Sequence, residues 1–266
     1  GVNFSDKFDQ GKAKFTGSYF FNDNRNTLNR TSSRTYILPS DSLQIYNQDT
    51  RNTNESQRHR LEFRLDYDLS ERSAIIWRPR LSYAISQSRN ETIAQNLFDP
   101  SNPINEINNV TIGDNKWMSF DNDFTYRYKF AKEGRVLSTN VTSRLNESKR
   151  NSRLTSVNTD FGTSQVDSLI QNSFSNANNL NYRVSLDYSE PLNENSQIRL
   201  QYRIGNDIGK TDQDVLQRQA ESSFFELDSA LSNQFENRYL QQQSGIGYRF
   251  NNKKFRIFTS LDYEVS

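Results

Sequence analysis

Cysteine is absent from the 266-residue chain, so disulfide frameworks, thiolate metal sites and cysteine nucleophiles are excluded. Long apolar runs are absent too. No stretch approaches the ~18 residues that a membrane helix requires, which excludes a helical membrane protein. Strands that cross a membrane stay open, because their alternation leaves only a weak hydropathy signal. Net charge is +1, without the basic surplus that nucleic acid binding calls for. Hydrophobic residues make up only 33% and mean hydropathy is -0.92. Read alone, those values describe a chain too polar to offset its own entropy. What is present argues otherwise. Aromatic residues reach 12%, with 13 tyrosines and 18 phenylalanines, and the apolar residues are ordered along the chain.

The order is an alternation of period 2, the mark of strands with two unlike faces. In residues 60–67, Leu61, Phe63, Leu65 and Tyr67 share one parity, while Arg60, Glu62, Arg64 and Asp66 share the other. Beyond a short polar turn, Ile75, Trp77, Leu81, Tyr83 and Ile85 alternate with Arg78, Arg80, Ser82 and Ser86. The same unit returns with Phe120, Phe124, Tyr126 and Tyr128, a turn at Lys132-Glu133-Gly134, then Leu137, Val141 and Leu145. It returns again with Leu180, Tyr182, Val184, Leu186 and Tyr188, a turn over Glu190–Asn195, then Ile198, Leu200, Tyr202 and Ile204. The last copy runs from Ile246, Tyr248 and Phe250 through Asn251-Asn252-Lys253-Lys254 to Phe255, Ile257, Leu261 and Tyr263; the first is built on Phe4, Phe15, Tyr19 and Phe21.

The unit has a fixed length. Phe4, Phe63, Phe124, Val184 and Ile246 lie 59, 61, 60 and 62 residues apart, and Tyr67, Tyr128, Tyr188 and Tyr248 repeat beside the turns. Each repeat reads as strand, short turn, strand and long polar loop, with the loops expected near 23–56, 88–116, 147–178 and 206–238. Repeats of this kind fix an architecture. Short turns at one end and long loops at the other are the layout of a membrane barrel, and aromatics beside the turns suit its interfacial girdle. Charge falls almost wholly on the face opposite the aromatics, as lipid requires. A soluble β-sandwich also alternates, but strands of about ten residues suit a tilted membrane crossing better. The expected fold is therefore all-β: an antiparallel transmembrane β-barrel of which this chain supplies about ten strands. Pro79 falls inside a strand and predicts a bulge or kink, since it has no N–H for the ladder. The chain opens at Gly1-Val2-Asn3-Phe4, with no starting Met or signal peptide, and closes at Leu261-Asp262-Tyr263-Glu264-Val265-Ser266, both inside strand patterns. Residues 1–266 are accordingly expected to be one barrel segment cut at both ends, with unpaired edges.

Several phrases resemble the barrel domain of TonB-dependent receptor-like proteins of the Gram-negative outer membrane. Tyr188-Ser189-Glu190-Pro191-Leu192 followed by Asn193-Glu194-Asn195-Ser196 resembles that family's periplasmic turn. Leu231–Tyr239 resembles its entry to a descending strand, and Asp41-Ser42-Leu43, Asp167-Ser168-Leu169 and Asp228-Ser229-Ala230-Leu231 resemble loop-to-strand junctions. These motifs are structural and carry no chemistry. The resemblance implies a barrel of about 22 strands with a plugged lumen, energised uptake of a nutrient, and outer-membrane lipid, a plug domain and a TonB-type coupling protein as partners of the parent chain. A structural or adhesive barrel without transport is the alternative.

No catalytic, cofactor or metal site is expected. His59 is the only histidine. An omptin-type barrel protease would need it beside carboxylates such as Asp121, but no motif joins them, and a polar strand-end histidine is the plainer reading. Asn22-Asp23-Asn24 and Asp121-Asn122-Asp123 offer oxygens suited to calcium without a full loop motif. The arginines expected to face the lumen, Arg64, Arg78, Arg80, Arg183, Arg199 and Arg203, are interleaved with Glu62, Asp66 and Asp187, which favours a salt-bridge lattice over an anion-selective surface. Tyr36, Tyr46, Phe98, Phe161, Phe224 and Phe225 in the loops could stack on a glycan or siderophore, or pack hairpins together.

Overall fold

The computed structural model describes residues 1–37, 43–99, 102–219, 222–252 and 254–266. Strand β1 (Val2–Phe8) turns through a 3-10 segment, Asp9–Gly11, into β2 (Ala13–Ile37) and β3 (Leu43–Asp68). Then come β4 (Ser73–Trp77), β5 (Arg80–Asp99), β6 (Asn102–Lys129), β7 (Val136–Asp160), β8 (Gln165–Asn193) and β9 (Ser196–Gln219). A two-residue β10 (Glu226–Leu227) precedes β11 (Asn233–Asn251) and β12 (Arg256–Val265). All belong to one antiparallel sheet in which β4 and β5 together occupy a single place in the order, so the sheet has ten crossings. Among the described residues β1 pairs only with β2 and β12 only with β11, leaving two free edges.

The described residues form a single-layer sheet without a core. The buried hydrophobic residues are Ala13, Ala94, Leu97 and Val215, all small or medium-sized. A β-sandwich would bury one inner face of bulky residues against another. Here Leu145, Leu186 and Ile246 are instead 40%, 41% and 50% exposed. An apolar face of that extent, left open, needs a nonaqueous partner.

The ladder shows how clean the two faces are. Opposed residues in antiparallel strands lie on the same side. One row runs Phe15, Leu65, Trp77, Phe124, Val141, Val184 and Ile204 across seven crossings. Leu61, Phe63, Tyr67, Leu186, Tyr202 and Leu261 fall in parallel rows of the same face. Arg64, Arg183 and Arg203 fall on the other. On β8 the apolar face runs from Tyr188 to Leu180 before Asn178 ends it. Eight residues at ~3.4 Å each give about 27 Å along the strand, and a tilt near 40° reduces this to roughly 20 Å of height, close to an outer-membrane apolar band. The apolar face is therefore the lipid face and the charged face lines the lumen.

Pro79 interrupts its strand without shifting it. Leu65 faces Trp77 and Glu62 faces Arg80, so the register is the same on both sides and the expected bulge does not form. The Pro79 carbonyl still accepts from the Phe63 amide at 3.0 Å, and the Arg78 amide reaches the Asp123 carbonyl at 2.8 Å. Only the one donor that proline cannot supply is lost. A bulge does occur at the Pro191/Asn193 step. Consequently β8 continues to Asn193, and the turn shrinks to Glu194-Asn195 from the expected Glu190–Asn195. Gly134, with φ of +79°, makes the turn between β6 and β7.

The largest departure from expectation concerns the four long polar loops. Most of their length is strand. β7 and β8 pair without interruption from Val136/Ser189 to Asp160/Gln165, and β2 pairs with β3 out to Ile37/Leu43. Polarity on both faces removes the alternation that marks a strand in sequence. Pairing restores the strand because every hairpin is flanked by another, as β3 is by β5 and β8 by β9. Cross-strand side chains add to it: Thr31 donates to Asp49 at 2.6 Å, Gln95 to Glu106 at 2.7 Å and Asn96 to Asn105 at 2.8 Å. Among the described residues, the long hairpins leave the ladder only at 161–164 and on either side of β10, at 222–225 and 228–232. There Asp228 Oδ1 accepts from the amides of Ala230 and Leu231 and launches β11. Of the other expected junctions, Asp167-Ser168-Leu169 lies within β8, and Asp41-Ser42 lies outside the described residues.

An arginine placed at Val184, halfway up the lipid face, is expected to destabilise the folded barrel by roughly 2–4 kcal/mol, and one placed at the lumen-facing Asn181 by far less. Denaturant titration of the protein refolded in lipid vesicles measures the difference. Equal costs at the two positions would contradict the assignment of faces.

Candidate functional site

Three groups of side chains bear on function, and the sheet's parity sorts them. The first is the charge lattice of the lumen face. Arg64 reaches Asp66 at 2.6 and 2.8 Å. Arg60 and Arg80 share Glu62, Arg144 binds Asp121, and Arg199 binds Asp187. Asn140 donates to Asp123 at 2.9 Å and Asn181 to Asp207 at 2.7 Å. Arg203 reaches only Gln243, at 3.2 Å. Among the described residues Arg78 and Arg183 have no carboxylate within ion-pair distance. Asp123, Thr142 and Arg183 are direct neighbours in one row, bordering a groove of about 690 Å³. The salt-bridge lattice expected from the sequence is thus present, and among the described residues three of its six expected arginines, Arg78, Arg183 and Arg203, are left without a carboxylate. Each pair is half-exposed, so its net contribution is small. The lattice solvates the lumen wall more than it stabilises the sheet.

The second group is at the turn end of the lipid face. Tyr67, Tyr188 and Tyr248 point their hydroxyls toward polar partners there: Asp9 at 3.0 Å, Glu190 at 2.6 Å and Ser196 at 3.1 Å. That is how a phenol sits at a membrane interface, ring in lipid and hydroxyl in the polar layer. Glu190 also holds the neighbouring turn. It accepts from Arg135 at 2.7 and 2.8 Å and from Lys132 at 2.8 Å, and Arg135 in turn lies 5.9 Å from the Phe130 ring centre. The Arg135 guanidinium, then the Lys132 ammonium and the Tyr188 hydroxyl, hold the Glu190 carboxyl far below the usual carboxylate range. In the sequence Glu190 stands only within a turn phrase; its partner Arg135 is 55 residues away.

The third group surrounds His59. It lies within β3, not at a strand end, and on the lipid face, where Phe21, Tyr19 and Tyr83 surround it at ring-centre distances of 4.9, 6.1 and 6.5 Å. Tyr19 Oη is 2.8 Å from its Nδ1. Asp121, the carboxylate considered as its partner, is on the lumen face in the row of Arg80 and Arg144. The two cannot meet through the sheet. His59 belongs to an aromatic cluster at the far edge of the apolar band, opposite the turns.

Alternation likewise splits the two Asp/Asn triplets. Asp121 and Asp123 face the lumen and are bound to Arg144 and Asn140, while Asn122 faces lipid and accepts from Trp77 Nε1 at 2.7 Å. Asp23 faces away from Asn22 and Asn24 and lies 3.4 Å from Gln57. The hairpin aromatics are dispersed over separate tips: Tyr36 and Tyr46 on β2–β3, Phe98 on β5, Phe161 after β7, and Phe224 and Phe225 after β9. Phe225 lies under Arg218 at 5.3 Å.

Comparison with known proteins agrees with this geometry. Residues 128–259 match the model of the outer membrane protein beta-barrel family. No curated protein matches the chain in sequence. Solved structures that resemble it distantly include the following two. The siderophore receptor PiuA from Acinetobacter baumannii shares 11% identity at a TM-score of 0.37, over 97% of this chain and 46% of PiuA. The translocator domain of the autotransporter NalP from Neisseria meningitidis shares 8% at a TM-score of 0.24, over 96% of this chain and 83% of that domain. The chain thus spans about half of PiuA. The family match covers just under half of the chain, and within it the two-faced sheet carries the alternation that an outer-membrane barrel wall requires.

The Glu190 anchor has a consequence in acid. A carboxyl whose folded value is depressed contributes stability above its unfolded value, near 4.3, and loses that contribution as pH falls toward the folded value. Wild-type protein is expected to lose stability below about pH 4.5, while Glu190→Gln starts lower at neutral pH and shows a flatter acid limb. Denaturation midpoints across that range test it; parallel curves would exclude the anchor.

Proposed function

We propose that this chain forms wall and extracellular hairpins of a TonB-dependent receptor that takes up a nutrient too large for porins. The observation that carries the reading is the lumen face. Its lattice of paired charges, with Arg78, Arg183 and Arg203 left without a carboxylate among the described residues, suits a wall that meets a folded polar plug more than a simple water pore, because the spare guanidiniums can donate to carboxylate or carbonyl groups. The paired hairpins, continuing beyond the apolar band, give a stiff vestibule on the side opposite the short turns. By the usual orientation of such barrels that side is extracellular. The turn phrases around Glu190 and Asp228 support the same family. Outer-membrane lipid of a Gram-negative cell, a plug domain, a TonB-type coupling protein and a nutrient ligand are the partners this reading assigns to the parent protein.

The same reading makes the chain non-enzymatic. Acid–base chemistry needs groups that converge on one reacting atom. His59 is turned to lipid, and the lumen carboxylates Glu62, Asp66, Asp121, Asp123, Asp187 and Asp207 are held by arginine or amide partners.

The test is uptake by cells carrying the full-length protein, with and without a protonophore and with and without the coupling protein. Energy-dependent accumulation of a solute, abolished by either treatment and lost from Arg78→Glu/Arg183→Glu cells that still assemble the barrel, is the expected result. A barrel that assembles but supports only passive leak would mark a structural or adhesive protein instead. His59→Ala is expected to change neither uptake nor proteolysis of outer-membrane substrates; loss of a protease activity would overturn the non-enzymatic reading.

A further inference from the structure

The lumen face changes character with height. Near the turns it is the charge lattice. Above the row of Asp121 and Arg144 it becomes almost neutral and short-chained. From β5 to β9 successive rows read Ser82, Ser119, Asn146, Asn179 and Gly209, then Ala84, Trp117, Ser148, Ala177 and Thr211, then Ser86, Asn115, Arg150, Ser175 and Gln213. Only Arg150 is charged. In the middle of this field stands one large side chain, Trp117. It has the parity of Asp121 and Asp123 and therefore faces the lumen, whereas the other aromatics of β6, Phe120, Phe124, Tyr126 and Tyr128, face lipid.

Trp117 borders a groove of about 450 Å³ that it shares with Asn146, Asn179, Ser148 and Ala177, and that the Arg144–Asp121 pair closes on the turn side. Its direct cross-strand neighbours, Ala84 and Ser148, are too short to cover the indole. Among the described residues, neither the indole N–H nor the amides of Asn146 and Asn179 have a side-chain partner, although amides elsewhere on the same face are engaged, as Asn140 is with Asp123 and Asn181 with Asp207. Gly209 makes room for one of the two: a Cβ there would come within 2.9 Å of Asn179 Oδ1.

We infer that this groove binds a neutral carbohydrate, with a sugar ring lying on the Trp117 indole and its hydroxyls bonded to Asn146 and Asn179. The chemistry follows from what each group offers. The face of a pyranose presents C–H groups, which pack against the electron-rich face of an indole. Vicinal hydroxyls both donate and accept, and a carboxamide matches them with one acceptor oxygen and two N–H donors. A charged ligand would find its counter-charges in the lattice below, not in this field. The inference deepens the uptake reading by naming a ligand class, and it rests on that reading only in taking this face as the lumen.

The experiment is calorimetric titration of the full-length protein with maltohexaose, cellohexaose and mannohexaose. At least one is expected to bind, with an affinity that does not fall as salt is raised, since no ion pair is involved. Trp117→Ala should weaken it about tenfold, and Trp117→Phe, which keeps a smaller ring and guards against misfolding, should weaken it less. Asn146→Ala or Asn179→Ala should weaken it as well without altering the melting temperature. Absence of binding by all three sugars, or a Trp117→Ala protein that binds as wild type, would overturn the site. Failure here is separable from failure of the transport reading. Sugar bound without energised uptake would retain the site and remove the transporter, while energised uptake of another solute without sugar binding would do the reverse.

Discussion

Everything in this molecule depends on backbone hydrogen bonds made between neighbouring strands. In hydrocarbon an unpaired N–H or C=O has no water to turn to and costs several kcal/mol. The chain meets that demand with an antiparallel ladder that runs between every pair of adjacent crossings from β1 to β12. The demand also explains the economy of the Pro79 defect. One donor is missing, but the register on both sides is unchanged and the Pro79 carbonyl still accepts from Phe63. A bulge at that height would have shifted every residue beyond it to the wrong face, whereas the irregularities that do occur, at Pro191 and between Asn96 and Asp99, sit where the strands are about to end.

With the backbone satisfied by pairing, the side chains are free to answer to two solvents. The lipid face is apolar over about the height of a membrane and is capped by tyrosines at one edge and the His59 cluster at the other. The lumen face carries the charge. This division gives a low overall hydrophobic content to a protein that lives in lipid: only one face, over only part of each strand, has to be apolar. It also moves stability away from a core, which the molecule does not have, and toward the ladder, the girdle and local anchors such as Glu190 with Arg135 and Lys132.

The hairpins beyond the membrane obey the same rule in water. There both faces may be polar, so composition ceases to distinguish strand from loop. Lateral contact decides: each hairpin is zipped to the next, and the sheet continues as a wall. Residues carried on such a wall hold fixed spacings, which is how Trp117, Asn146 and Asn179, from three strands, come to border one groove.

The sequence by itself determined the all-β class, the faces of the membrane-crossing segments and the position of most short turns, because a period of 2 and a repeat near 60 residues are local properties that survive in one dimension. Lumen-facing Arg64, Arg183 and Arg203 and lipid-facing Phe63, Val184 and Leu261 were legible from parity alone. Trp117 was legible in principle, as an aromatic with the parity of Asp121 and Asp123, although nothing in the sequence marked its neighbours. What only the tertiary structure decided were matters of pairing between distant segments. The polar hairpins became strands because adjacent hairpins bond to them. Glu190 became an anchor because the turn of another hairpin lies alongside it. His59 and Asp121 were separated because the register of β3, β5 and β6 sets them on opposite faces. Each depends on which residue stands opposite which across a ladder, and that is fixed by the register of strands tens of residues apart, which no local period records.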